Sequence, residues 1–167
     1  GVKVLLPSHI AENLVNLELL SIRDCEQMEK VIGDVGEVRQ NYRLFSSLTE
    51  LKLCDLPLLK MFCEWDCTLV LPLLEDIKIS DCPMMEVLTP TSLRAPNLVD
   101  ISLDGIKIEG WNEIEDLNGF IKHHIKSSRE VHFLDFVPEL SYYICRNFIF
   151  ENQPCPRLHM LISFRSC

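Results

Sequence analysis

Cysteines and histidines are the side chains of this sequence best suited to chemistry, and their spacing decides which chemistry is open to them. Cys63 and Cys67 bracket Glu64, Trp65 and Asp66, and His123 and His124 follow further along. Thiolates and imidazoles are the usual ligands of a tetrahedral zinc site, but Cys63-x-x-x-Cys67 has no second pair at matching spacing. The two histidines fall where the pattern reads as a helix surface. Cys145 and Cys155 could serve as nucleophiles, yet no base is placed to activate either. G-x-S-x-G, H-E-x-x-H and a phosphate-cradling glycine loop are all missing from the sequence. The chain therefore reads as a non-enzyme with no metal site and no cofactor of its own.

Charged side chains on strands are the better candidates, and the strands come from a repeated phrase. Leu71 to Leu88, LPLLEDIKISDCPMMEVL, places apolar residues at Leu71, Leu74, Ile77, Ile79, Cys82 and Met85. This is the strand half of a leucine-rich repeat, with D-I-K-I-S alternating as a half-buried strand should. Cys82 stands where the repeat places a small polar residue that turns inward and bonds the backbone after the strand; Pro83 then ends the strand. Leu14, Leu17, Leu20, Ile22, Cys25 and Met28 repeat the phrase, and so do Phe45, Leu48, Leu51, Leu53, Leu56 and Leu59. A fourth copy runs Ala95, Leu98, Ile101, Leu103, Ile106. A fifth centres on Val131, Phe133 and Phe136, and a sixth on Leu158, Ile162, Phe164 and Cys167 needs one extra residue. Aligning Leu20, Leu51, Ile77, Ile101, Val131 and Ile162 gives spacings of 31, 26, 24, 30 and 31 residues. The pattern is clear over residues 14–106 and fades after 126.

These observations predict an α/β repeat fold: a curved leucine-rich-repeat solenoid over residues 1–167, with a parallel concave sheet and an irregular or short-helical convex side. Residues 1–13 read as the tail of a preceding repeat, so the chain reads as a piece of a larger protein. Residues 112–126 predict a helix capped by Asn112, with Ile114, Leu117, Ile121 and Ile125 on one face. Gly33 and Gly36 mark an insertion between the first two strands.

Residues flanking the two strand hydrophobes point away from the core and stack on their counterparts about 4.8 Å away. The first such column reads Leu19, Glu50, Asp76, Asp100, Glu130; the next reads Ser21, Lys52, Lys78, Ser102, His132; the third reads Arg23, Cys54, Ser80, Asp104, Leu134. Lys52 and Lys78 can offset Glu50 and Asp76, whereas Asp100, Asp104 and Glu130 have no such lysine. The expectation is a partner-binding face of Lys52, Asp76, Lys78, Asp100, Asp104, Glu130 and His132, acidic on the fourth and fifth strands. The competing expectation is an ordinary solvated face with weak surface ion pairs.

Composition narrows the partners. The formal charge is −9 across 167 residues, which disfavours nonspecific contact with nucleic acid or anionic membrane. A hydrophobic share of 47% and a mean hydropathy of +0.12 suit a folded interior. No apolar stretch reaches transmembrane length, and GVKVLLPSHIAENL lacks the form of a signal peptide. Eight cysteines without regular spacing, and eight asparagines without one N-x-S/T sequon, point to a reducing compartment, cytoplasm or nucleus.

SIRDCEQMEKVIG, LFSSLTELKLCDLPLLKMFC, LPLLEDIKISDCPMMEVL and WNEIEDLNGFI occur in that order. Together they resemble the leucine-rich-repeat region of plant coiled-coil nucleotide-binding disease-resistance proteins, intracellular immune receptors, over roughly residues 5–125. The two C-x-x-M-E groups, Cys25/Met28/Glu29 and Cys82/Met85/Glu86, and the L-x-L-x-x-L-P-x-L between them are the most specific parts of the likeness. The resemblance implies repeats that contact pathogen effectors or guarded host proteins and restrain a nucleotide-binding module in cis. ADP or ATP would belong to that module, since the sequence has no phosphate-binding loop. The alternative is the substrate-recognition solenoid of an F-box-type ubiquitin ligase adaptor, for which no F-box is visible.

Overall fold

A computed structural model describes residues 3–33, 41–64, 68–110, 116–134 and 159–164. The elements run β1 Val4–Pro7, α1 Ser8–Asn13, β2 Leu17–Arg23, β3 Lys30–Gly33, β4 Asn41–Arg43, β5 Glu50–Cys54 and β6 Met61–Cys63. They continue with β7 Thr68–Val70, β8 Asp76–Ser80, β9 Ser92–Arg94, β10 Asp100–Leu103, β11 Ile106–Ile108, α2 Leu117–Leu134 and β12 His159–Phe164. Among the described residues parallel strands dominate, and the strands fall into three sheets ordered β1-β3-β6, β11-β10-β8-β5-β2-β12 and β4-β7-β9.

Each repeat is built by the same local steps. The opening L-x-x-L closes a turn: Leu17 N–H donates to Leu14 O at 3.2 Å, Leu48 to Phe45 at 2.9 Å, Leu74 to Leu71 at 3.4 Å and Leu98 to Ala95 at 3.2 Å. Period-2 alternation then sends Leu20 and Ile22, Leu51 and Leu53, Ile77 and Ile79, and Ile101 and Leu103 into the core, all of them buried. Asp24, Asp55 and Asp81 follow β2, β5 and β8 at φ 56, 54 and 52°, a left-handed conformation that aspartate tolerates better than most residues. The chain turns there, and Cys25, Leu56 and Cys82 drop into the core with Met28, Leu59 and Met85 one turn on. The register is the one the repeat alignment requires: Leu20 faces Leu51, Leu51 faces Ile77, and Ile77 faces Ile101.

The repeat pattern stops at β10, earlier than the sequence suggests. Asp104 (φ 49°) and Gly105 (φ 80°) link Leu103 to Ile106, and β11 returns antiparallel to β10. Two consecutive left-handed residues of the Asp-Gly type make a tight hairpin. Ile106 is therefore a hairpin residue, 63% exposed, and not the core position assigned to it by spacing. Val131 and Phe133 lie within α2, so the expected fifth strand is helix. Leu117, Ile121 and Ile125 are buried on this helix, as its spacing predicts, but Asp116 caps it, accepting the Gly119 N–H at 2.9 Å. Residues 159–164 do form a strand, though not a sixth parallel repeat: β12 runs antiparallel to β2 at the opposite end of the broad sheet. The Gly36 insertion, Asn112, Ile114, Phe136 and the segment after residue 140 up to 158 lie outside the described residues.

Candidate protein-interaction face

The outward face of the broad sheet carries the charges that the strand alternation predicts, in the predicted columns. Glu50 pairs across to Asp76 and Asp76 to Asp100; Lys52 pairs to Lys78 and Lys78 to Ser102. Their electrostatics differ from the expected acidic patch. Lys52 Nζ donates to Glu50 Oε2 on the same strand. Lys107, brought alongside by the β11 hairpin, forms an ion pair with Asp100 Oδ1. Asp100 thus has the lysine that the sequence did not reveal, and the Lys107 amine is held above its ordinary range by that carboxylate.

Asp76 sits between two other carboxylates. Partial burial first, then Glu50 and Asp100, raise its pKa, while Lys52 and Lys78 work against the rise. Lys78 stays exposed beside it. Asp104 turns back toward the neighbouring repeat, where its Oδ1 accepts the Asp81 N–H at 3.0 Å. Glu130 and His132 belong to α2 and not to a fifth strand, so they do not extend these columns. Cys54 is also removed from the face, being buried. The result is a strip of mixed sign running Glu50, Lys52, Asp76, Lys78, Asp100 and Lys107. Among the described residues, Asp100 is paired with Lys107, Asp104 accepts the Asp81 N–H, and Glu130 lies on a helix and not on a fifth strand.

The cysteines are packing groups where they are described. Cys25, Cys54, Cys63 and Cys82 are buried thiols. Cys82 Sγ lies 3.2 Å from Ser80 O and 3.6 Å from Leu53 O, donating inward across two repeats as its position predicts. Burial pushes this thiol up to about 12, which keeps it protonated and unreactive near neutral pH. Cys67, Cys145, Cys155 and Cys167 lie outside the described residues.

A second charged feature escaped the strand-by-strand reading. Glu29 carboxylate bridges Lys3 at 2.9 Å and Lys60 at 3.1 Å, one repeat to either side. Hydrogen bonding from the two amines, Lys3 first, draws the Glu29 carboxyl down to about 2. Backbone bonds set this order: Glu29 N–H to Lys3 O, Lys60 N–H to Glu29 O and Glu86 N–H to Lys60 O, each 2.9 Å. The column Lys3, Glu29, Lys60, Glu86 alternates in sign. Its signal was present as the residue after each Met28, Leu59 and Met85.

A family profile described as plant disease resistance protein RPS2-like, leucine-rich repeats, matches residues 1–107. The chain belongs to that family. The match ends within the hairpin strand β11, just past β10, the last parallel repeat strand. No curated protein and no solved structure matches the chain. The repeats of RPS2-like disease-resistance proteins are a protein-interaction module and not a catalytic one. Among the described residues, no helix is long and apolar enough to cross a membrane.

Proposed function

We propose that this chain is the protein-binding repeat module of a plant intracellular immune receptor. In this reading the repeats curve as a solenoid with the broad sheet on the concave side. They recognise a pathogen effector or a guarded host protein, and they restrain a nucleotide-binding module in cis until that ligand arrives. ADP or ATP is then held by the nucleotide-binding module, with no contribution from these repeats. The module works in the cytoplasm, with the nucleus as a second compartment.

The observation that supports this reading best is the outward strip of Glu50, Lys52, Asp76, Lys78 and Asp100 in strict cross-strand register. Rigid strands hold these charges at fixed separations, which favours a partner of complementary pattern and disfavours like-charged ones. The test is binding in trans to a purified nucleotide-binding module from a coiled-coil-class disease-resistance protein, by titration calorimetry at two salt concentrations. Asp76→Lys combined with Lys78→Glu inverts the central pair and should weaken binding at least tenfold and flatten its salt dependence. Unchanged affinity and salt dependence would remove the strip from the binding face.

A further inference from the structure

The two ends of the broad sheet are closed by different means. At one end, β11 is tied to β10 by a two-residue turn, so the chain itself fixes its place. At the other end, β12 comes from far along the chain to lie on the outer edge of β2.

That edge has the geometry of a repeat-stacking slot. In the first sheet, β1 lies parallel on β3 as β3 lies on β6: Val4 faces Lys30, and Lys30 faces Met61. The Glu29 N–H reaches Lys3 O at the same 2.9 Å at which the Lys60 N–H reaches Glu29 O. The segment of β1 therefore occupies the position of a repeat's second strand. Carried through the same stacking, the broad-sheet strand of such a repeat falls on the outer edge of β2, parallel to it. β12 holds that edge in the opposite sense, with His159 facing Arg23 and Ile162 facing Leu20, and its pairing slips between Ser163 and Phe164.

We propose that β12 is a displaceable closing strand, and that the β2 edge beneath it is a strand-addition site for a parallel leucine-rich-repeat strand. An open edge offers a row of backbone N–H and C=O groups that template a further strand. Side-chain selection comes from the pleat. Alternate residues of the incoming strand align with Leu20 and Ile22, which are buried, so those residues must be apolar. A slip of one residue would invert every side chain, which fixes the register. The site uses the sheet edge and leaves the Asp76–Lys78 strip untouched, so it stands or falls independently of the function proposed above.

The probe is a fluorescein-labelled peptide of residues 71–81, LPLLEDIKISD, which carries the repeat pattern. It is titrated by fluorescence anisotropy against the full chain, the chain ending at residue 158, and the full-length Ile162→Pro variant, in which proline interrupts β12. The shortened chain and the proline variant should each bind at least tenfold more tightly than the full chain, and an Ile77→Pro peptide should bind none of them. Hydrogen exchange on the full chain supplies an independent readout: saturating peptide should speed exchange in 159–164 while residues 17–23 stay protected. Equal affinity for all three proteins, or unaltered exchange in 159–164, would overturn the proposal. So would loss of cooperative unfolding in the shortened chain, because β12 would then be an integral strand.

Discussion

Removing the Asn118 side chain should cost the fold far more than an ordinary surface exchange. Asn118 is 4% exposed at the start of α2, and its amide reaches three backbone groups of the loop before β9. Oδ1 accepts the Thr89 N–H at 3.3 Å, and Nδ2 donates to Thr89 O at 2.6 Å and Thr91 O at 3.3 Å. Thr89 itself is fully buried, so water cannot take over the lost partners. A net hydrogen bond is worth about 1 kcal/mol, and a buried group left unsatisfied costs about 1–3 kcal/mol. Asn118→Ala should therefore destabilise the chain by about 2–4 kcal/mol, allowing for the weak geometry of the two longer bonds. Urea titration followed by circular dichroism measures it, with the slope against denaturant unchanged if the same surface is exposed on unfolding. Asn118→Asp sharpens the test, since it keeps the acceptor for Thr89 N–H but sets a carboxylate against two carbonyls. It should be no more stable than the alanine variant. A loss below about 0.5 kcal/mol for Asn118→Ala, the range of an ordinary surface exchange, would refute the claim that this amide ties α2 to the repeats.

Two further outcomes test other parts of the structure. The Glu29 carboxyl falls from its ordinary 4.5 to about 2 on folding, so its stabilising effect is complete above pH 4.5 and is lost as pH falls toward 2; the stability difference between the native chain and Glu29→Gln should shrink across that window, and parallel acid profiles would refute the Lys3–Glu29–Lys60 bridge. Leu103→Ala, at a 4% exposed core position, should cost about 2–5 kcal/mol, whereas Ile106→Ala, on the exposed hairpin strand, should stay within about 0.5 kcal/mol; comparable losses in urea titration would restore Ile106 to the core.

The stacking of the first four repeats was legible because one signal was repeated in four places. Leu20, Leu51, Ile77 and Ile101 each sit in an alternating run preceded by a turn, and the parallel register follows from aligning them. The boundary was not legible by the same means. Leu103-x-x-Ile106 has the spacing of Ile79-x-x-Cys82, so counting apolar positions favoured another repeat, while Asp104-Gly105 carried the opposing hairpin signal. Val131 and Phe133 alternate as a strand would, but they continue a helical run begun at Leu117. The errors in the site descend from that boundary. Lys107 can reach Asp100 only because the hairpin brings it back, and Glu130 and His132 leave the face once the fifth strand becomes helix. The Glu29 bridges were hidden for a different reason, as they depend on how the β1-β3-β6 sheet stacks and not on any one repeat.

The pairing of the outer charges determines where the strip can still discriminate. Glu50, Asp76 and Asp100 occupy one column on adjacent strands, about 4.8 Å apart, so three bare carboxylates there would repel one another. The flanking two are neutralised in place, Glu50 by Lys52 two residues on and Asp100 by Lys107 across the hairpin. Asp76 is left at the centre with its pKa shifted upward, and Lys78 is exposed beside it. A partner that brings a cation to Asp76 relieves the repulsion from both neighbours, whereas one that brings a cation to Glu50 or Asp100 must first displace a lysine. With the strip as the binding face proposed above, electrostatic selectivity falls on Asp76 and Lys78. Substituting either flanking carboxylate alone should alter binding less than inverting the central pair.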